Sequence, residues 1–217
     1  MEMKLTLGSR SIVPRRVFCI GKNYAEHVKE LDGSAPGQPV VFMKPATCLV
    51  PPGETIHMPA HGNNLHHEAE VVVLVGKAGK GISETDAPAH IAGLTLGLDL
   101  TLRDVQSALK KKGWPWEIAK AFDQSAPLGT LTAFGDNLSL DDIPFQCSVN
   151  GAVRQSGNTG EMTFPIPALI HYLSGIWQLR EGDLIFTGTP AGVGPLQSGD
   201  RVALHSDRLG SFEWSLA

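Results

Sequence analysis

Cysteine is scarce in this chain, and long apolar runs are missing from it. The three cysteines, Cys19, Cys48 and Cys147, are odd in number and widely spaced, with no Cys-x-x-Cys pair. This argues against a disulfide frame or a cysteine zinc site and fits reduced, mostly buried thiols of a cytoplasmic protein. No apolar stretch approaches the length of a membrane span. The N-terminus also lacks a charged head followed by an apolar core and cleavage site, so no membrane partner is expected. A basic field is absent too: 18 Lys and Arg against 22 Asp and Glu leave a net charge of −4. Nucleic acid is therefore not an expected partner. The single cationic cluster, Lys110-Lys111-Lys112, reads as a solvated helix end, favourable against the helix dipole.

Several catalytic signatures are missing as well. His67-Glu68 has no second histidine at the spacing of a zinc-protease helix, and the surrounding run is β-branched. Gly188, Gly192 and Gly194 are interrupted by Pro190 and followed by Pro195, so they form no dinucleotide fingerprint. The run from Gly76 to Gly81 lacks the Gly-Lys-Ser/Thr ending of a phosphate loop, and no Gly-x-Ser-x-Gly elbow occurs. These absences argue against hydride transfer, nucleotide hydrolysis and serine-esterase chemistry.

What is present is an ordinary globular composition, 42% hydrophobic and 18% charged over 217 residues, which fits one domain spanning 1–217. Its 24 glycines and 15 prolines punctuate many short apolar runs, the pattern of an α+β fold dominated by β-structure. Strands are expected at 17–21, 40–44, 55–58, 183–187, 201–205 and 211–214. Asn150-Gly151 predicts a hairpin with a type I′ turn. Helical periodicity is expected from about Asp99 or Thr101 to Lys112 and from Ile166 to Gln178, with a short helix near 83–90. Asn23 is expected to cap a short helix carrying Tyr24, His27 and Glu30.

The most informative feature is Glu68 and Glu70, two residues apart in a run that continues as Val71-Val72-Val73-Leu74-Val75. On one strand both would point from the same face, where two like charges repel and lose hydration. Asp99 ends a second apolar run, Ile91 to Leu98. If the two runs are neighbours, Glu68, Glu70 and Asp99 form an all-oxygen triad suited to a hard divalent cation such as Mg²⁺ or Mn²⁺. Spacing alone is equally compatible with pairing to Arg or Lys, or with solvent at an edge strand.

Ordered motifs along nearly the whole chain resemble the fumarylacetoacetate hydrolase family, and within it the short acylpyruvase branch. They are Gly21-Lys22-Asn23-Tyr24-Ala25-Glu26-His27, Phe42-Met43-Lys44-Pro45, His66-His67-Glu68-Ala69-Glu70, Gly97 to Gln106, Lys110 to Trp116, Ala119 to Asp123, and Gly182 to Gly194. The resemblance implies a mixed β-sandwich roll, a homodimer, and a divalent metal (Mg²⁺ or Mn²⁺, with Ca²⁺ as a crystal substitute) on Glu68, Glu70 and Asp99. It makes His27 and Glu30 a water-activating pair on a lid segment near 23–38, and Lys120 an electrostatic partner for the intermediate. Arg103, Gln106, Lys44 and Thr189 are implied to bind a small 2-oxo acid, while His66, His67, Trp114 and Trp116 are read as structural. The implied activity is metal-dependent hydrolysis of the C–C bond of acylpyruvates such as fumarylpyruvate or acetylpyruvate, with decarboxylation of oxaloacetate as a second activity. Alternatives are a decarboxylase, isomerase or hydratase of aromatic-degradation intermediates, or a noncatalytic ligand-binding scaffold.

Overall fold

The computed structural model describes residues 3–30, 34, 36–135 and 137–217. A six-stranded mixed sheet runs in the order Thr132–Ala133, Ile91–Leu98, Ala69–Val75, Leu184–Phe186, Arg16–Gly21, Val40–Pro45. Ala69–Val75 lies inside the sheet because it is apolar on both faces. Ala69, Val71, Val73 and Val75 enter one hydrophobic cluster, while Val72 and Leu74 enter the other. Leu184–Phe186 pairs antiparallel with Ala69–Val75 and parallel with Arg16–Gly21, which makes the sheet mixed.

The larger cluster is shared with a five-stranded sheet, ordered Ala152–Asn158, Pro144–Val149, Arg201–Ser206, Gly210–Leu216, Thr55–Ile56. Phe145, Cys147, Val202, Leu204 and Trp214 from that sheet meet Val71, Val73, Leu94 and Leu96. The helix Ile166–Ile176 adds Ile166, Leu169, Ile170 and Leu173 to the same core. The smaller cluster is capped by Leu5, Leu7 and Ile12 of the first hairpin. Asn150 and Gly151 both have positive φ, 53° and 80°, as the expected type I′ turn requires. Among the described residues no helix is long and apolar enough to cross a membrane.

Four local expectations are corrected. Glu68 lies in a break between Leu65–His67 and Ala69–Val75, so Glu68 and Glu70 do not share one continuous strand. The break arises because Leu65–His67 leaves the large sheet to pair with Thr101–Leu102 and Gly194–Pro195 in a small three-stranded sheet. Asn23 does not cap its helix. Fully buried, it donates to Phe164 O at 3.0 Å and Thr187 O at 2.8 Å and accepts from Phe164 N at 2.7 Å, tying three segments together. The helix after Asp99 begins only at Arg103, because Thr101 and Leu102 are in the small sheet. Near 83–90 there is one 3₁₀ turn, Ala87–His90. Of the expected lid, residues 31–33 and 35 fall outside the described ones; the helix Ala25–Glu30 is described.

Leu96 is fully buried between the two sheets. Leu96→Ala is expected to lower unfolding stability by about 2–5 kcal/mol through lost burial and the cavity left behind, as read from urea denaturation with the midpoint falling at unchanged slope.

Candidate metal and active site

The sheet register brings the acids together. Ala69 pairs with Leu98 and Glu70 with Gly97, and one step further Asp99 N donates to Glu68 O at 2.8 Å. Glu68, Glu70 and Asp99 each offer an oxygen within 4.8 Å of the others, and all three residues are buried. The second reading left open by spacing is also realised. Lys120 Nζ lies 2.7 Å from Glu68 Oε2 and 2.6 Å from Asp99 Oδ2, and Arg103 pairs with Glu68 Oε1. Lys44 Nζ is 2.9 Å from Asp99 Oδ1, yet its protons go to the carbonyls of Leu100, Lys120 and Ser125. Asp99 Oδ1 is consequently a buried oxygen to which no proton is aimed. That orphan atom, with the oxygen-only donor set, fits a hard divalent cation at this point.

The three carboxyls differ in their electrostatics. Burial raises Glu68, but Lys120 and Arg103 more than offset it and hold this carboxyl well below its ordinary range. Glu70 is pushed well above that range by burial and then by the charge of Asp99, against the lowering influence of one hydrogen bond from Gly188 N. That amide donates to Glu70 Oε2 at 2.7 Å. Gly188 has φ +105°, and a Cβ there would meet Asn23 Cβ at 2.7 Å, so glycine is required for the amide to reach the acid. Burial disfavours the Lys120 ammonium, yet Asp99 and Glu68 outweigh this and raise it above its usual value.

His27 comes from the helix Ala25–Glu30 and is buried. Its Nδ1 lies 3.0 Å from Glu30 Oε2, and Glu30 Oε1 accepts from Gly192 N at 2.9 Å. Ionised Glu30 only accepts, so Nδ1 carries the proton and Nε2 is left as the basic nitrogen. His27, Glu68, Glu70, Lys120, Thr189, Arg103 and Gln106 line one narrow cleft of about 50 Å³, with Phe42 and Trp116 among its walls. Arg103 donates to Gln106 Oε1 at 2.7 Å, which leaves the Gln106 amide nitrogen for the cleft. Lys44, with its protons engaged, is not in the lining.

Sequence reasoning missed four contributors. Lys110 lines the cleft instead of being merely a solvated helix end, and Lys22, with φ 62°, stands beside it. Trp116 packs on Phe42 with ring centroids 6.0 Å apart. Gln155 donates to Thr189 Oγ1 at 2.7 Å. The Gly21–Tyr24 and Lys110–Trp116 motifs pointed to the first three; nothing local marked Gln155, which sits in a mostly exposed strand.

The model for "Fumarylacetoacetate (FAA) hydrolase C-terminal" matches residues 16–216. Oxaloacetate tautomerase YcgM of Escherichia coli is 44% identical over 193 residues, 88% of this chain and 88% of that protein. The mitochondrial oxaloacetate tautomerase FAHD1 of Bos taurus is 44% identical over 188 residues, 87% of this chain and 85% of that protein. A crystal structure of fumarylpyruvate hydrolase from Pseudomonas aeruginosa in complex with Mn²⁺ and pyruvate superposes with a TM-score of 0.95. It is 35% identical, and the match covers 100% of this chain and 96% of that one.

The raised Glu70 carboxyl has a pH signature. A folded-state value above the unfolded one stabilises the fold fully below the unfolded value, and that stability is lost as pH rises through the folded value. In chelator, the melting temperature is expected to fall on going from pH 5 to pH 8. Mn²⁺ should reverse the fall and bind more tightly as pH rises, because binding expels the Glu70 proton. Calorimetry reads both; a flat profile with pH-independent affinity would count against the assignment.

Proposed function

Because this chain belongs to the fumarylacetoacetate hydrolase family, we propose that it is a divalent-metal-dependent enzyme of small 2-oxo dicarboxylic acids, catalysing keto–enol interconversion of oxaloacetate. The observation carrying this reading is a histidine, His27 held by Glu30, lining the same cleft as Glu68 and Glu70 of the buried carboxylate triad. Glu68, Glu70 and Asp99 would hold Mg²⁺ or Mn²⁺. When bound, that cation supplies Lewis-acid stabilisation of negative charge on the oxygen at C2.

The chain's own groups do the rest. His27 Nε2 takes a proton from C3 and passes it to the oxygen at C2 to give the enol, the reverse transfer restoring the ketone, while Glu30 keeps the ring oriented and stabilises its protonated form. Lys120 keeps one N–H beyond the two engaged by Glu68 and Asp99, and places a fixed positive charge beside the developing enolate. Thr189 and Gln106 offer hydroxyl and amide groups to the substrate's oxygens. Phe42 and Trp116 keep bulk water from one wall, which strengthens every charge interaction inside.

Two features support a dicarboxylate. Three acids face three cations, Lys44, Lys120 and Arg103; a divalent metal therefore leaves two positive charges for a dianion to match. At the rim, the Lys110 ammonium is lowered by burial and then by Lys22 and Arg103, which shows cations crowded where a second carboxylate would relieve them.

Hydrolysis of an acylpyruvate such as fumarylpyruvate is the second reading, favoured by the same dyad. With Nδ1 on Glu30, His27 Nε2 is equally placed to deprotonate a water attacking the distal carbonyl, and the carbanion at C3 is common to both reactions. The helix Ala25–Glu30 acts in either case as a lid latched through Glu30 to Gly192.

The deciding assay follows enol-oxaloacetate decay and fumarylpyruvate loss by absorbance, with Mg²⁺ or Mn²⁺ and with chelator. Metal-dependent acceleration of the first without pyruvate release supports tautomerisation; cleavage of the second alone selects hydrolysis; neither sinks both. His27→Ala is expected to lower kcat by about 10²–10⁴ while the protein stays folded. Lys110→Ala is expected to raise KM about fivefold for oxaloacetate and to leave KM for the monocarboxylate acetylpyruvate unchanged, as steady-state kinetics would show.

A further inference from the structure

Gln155 is buried within the strand Ala152–Asn158, where its four polar neighbours leave its amide only one orientation. Ala69 N can only donate and lies 3.0 Å from Oε1, while Pro190 O can only accept and lies 2.9 Å from Nε2. Flipping the amide would set donor against donor and acceptor against acceptor. The polarity then propagates in two directions. His67 Nδ1, 2.9 Å from the same Oε1, must carry a proton. Thr189 Oγ1, 2.7 Å from Nε2, must accept.

A hydroxyl that accepts from one side has its own proton free for another. No further partner of Thr189 Oγ1 is found among the described residues, and Thr189 is part of the cleft lining with Glu68, Glu70 and Lys120. A carboxylate ligand only accepts, so a hydroxyl already turned to donate binds it without first giving up another hydrogen bond. A hydroxyl donating back into the protein would present lone pairs to the anion and repel it.

We propose that Gln155 is a positioning residue that directs the Thr189 hydroxyl proton into the cleft, where it donates to the C1 carboxylate of the 2-oxo acid. This rests on the functional reading above for its ligand, though not for the polarity of the network. His67 is the other fixed point: with Ala69 N it saturates Oε1, so the amide cannot rotate to release Thr189. The strand of the second sheet thereby reaches the site through a residue that touches no substrate.

Gln155→Glu keeps the shape and the accepting oxygen but has no amide proton for Thr189, whose hydroxyl then turns back toward the new carboxylate. Pyruvate binding in the presence of Mn²⁺, measured by calorimetry, is expected to weaken about tenfold or more, the scale of one hydrogen bond to a charged acceptor. KM for oxaloacetate should rise similarly while kcat changes less than about threefold, because the contact is made equally in ground and transition states. Thr189→Val should give the same loss, and the double variant should lose no more than Thr189→Val alone. Additive losses, or pyruvate binding at wild-type strength by Gln155→Glu, would overturn the proposal. Should that variant unfold, Gln155→Met removes the same amide proton without offering the hydroxyl a new acceptor; pyruvate binding is then expected to weaken by less than in Gln155→Glu, and unchanged binding would overturn the proposal. Nitrogen NMR of wild-type His67 tests the network without any ligand: the Nδ1-protonated tautomer supports it, and the Nε2-protonated tautomer overturns it. A wild-type protein that binds no pyruvate and turns over no 2-oxo acid overturns the functional reading and the ligand assignment with it. Normal wild-type and variant binding overturns the role of Gln155 alone.

Discussion

Three carboxyl groups converge at one buried point, and that convergence is the constraint on which the rest of the site depends. Glu68, Glu70 and Asp99 repel one another in a setting where water cannot relieve them. The protein compensates from several directions at once: Lys120 bridges two of the acids, Arg103 holds a third oxygen, Lys44 stands beside Asp99, and the Gly188 amide reaches Glu70. The compensation is unequal. Glu68 is held ionised and Glu70 is driven toward its protonated form. Glu70, reached among the described residues by the single hydrogen bond of the Gly188 amide, is the member of the triad whose charge its neighbours balance least.

The groups around the triad are held by shared partners. One carboxylate, Glu30, orients His27 with one oxygen and grips Gly192 with the other. One amide, Gln155, connects His67, Ala69, Thr189 and Pro190. One asparagine, Asn23, fastens the entry of the His27 helix to Phe164 and Thr187. Each of these residues fixes several loops with the hydrogen bonds of a single side chain. Removing one leaves buried donors and acceptors unmatched, so a change there reaches both the fold and the chemistry.

The split between the tautomerase and hydrolase readings follows from this economy. Under either proposal charge must be stabilised beside C2, and the same histidine, His27, would serve as the base. What would separate the two proposals is whether a water stands between that base and the substrate, which depends on the shape of the cleft. Relatives with either activity share the family and nearly the full length of this chain, which is the pattern expected when reaction class rests on so small a distinction.

The sequence by itself determined the β-dominated class, the two acid-bearing apolar runs, the Asn150-Gly151 turn and, through its ordered motifs, the family. These are legible because periodicity, turn residues and contiguous motifs are local properties. Tertiary structure decided what locality cannot express. It placed Glu68 in a break where the chain changes sheets, made Asn23 a cross-link in place of a cap, and brought Lys110 to the cleft from what reads as a solvated helix end. Gln155 is the clearest case: it lies 86 residues from Ala69 and 34 from Thr189, and only sheet packing makes them neighbours. A hydrogen bond's direction is fixed by all the groups that meet at it, and those groups are assembled only when the chain has folded.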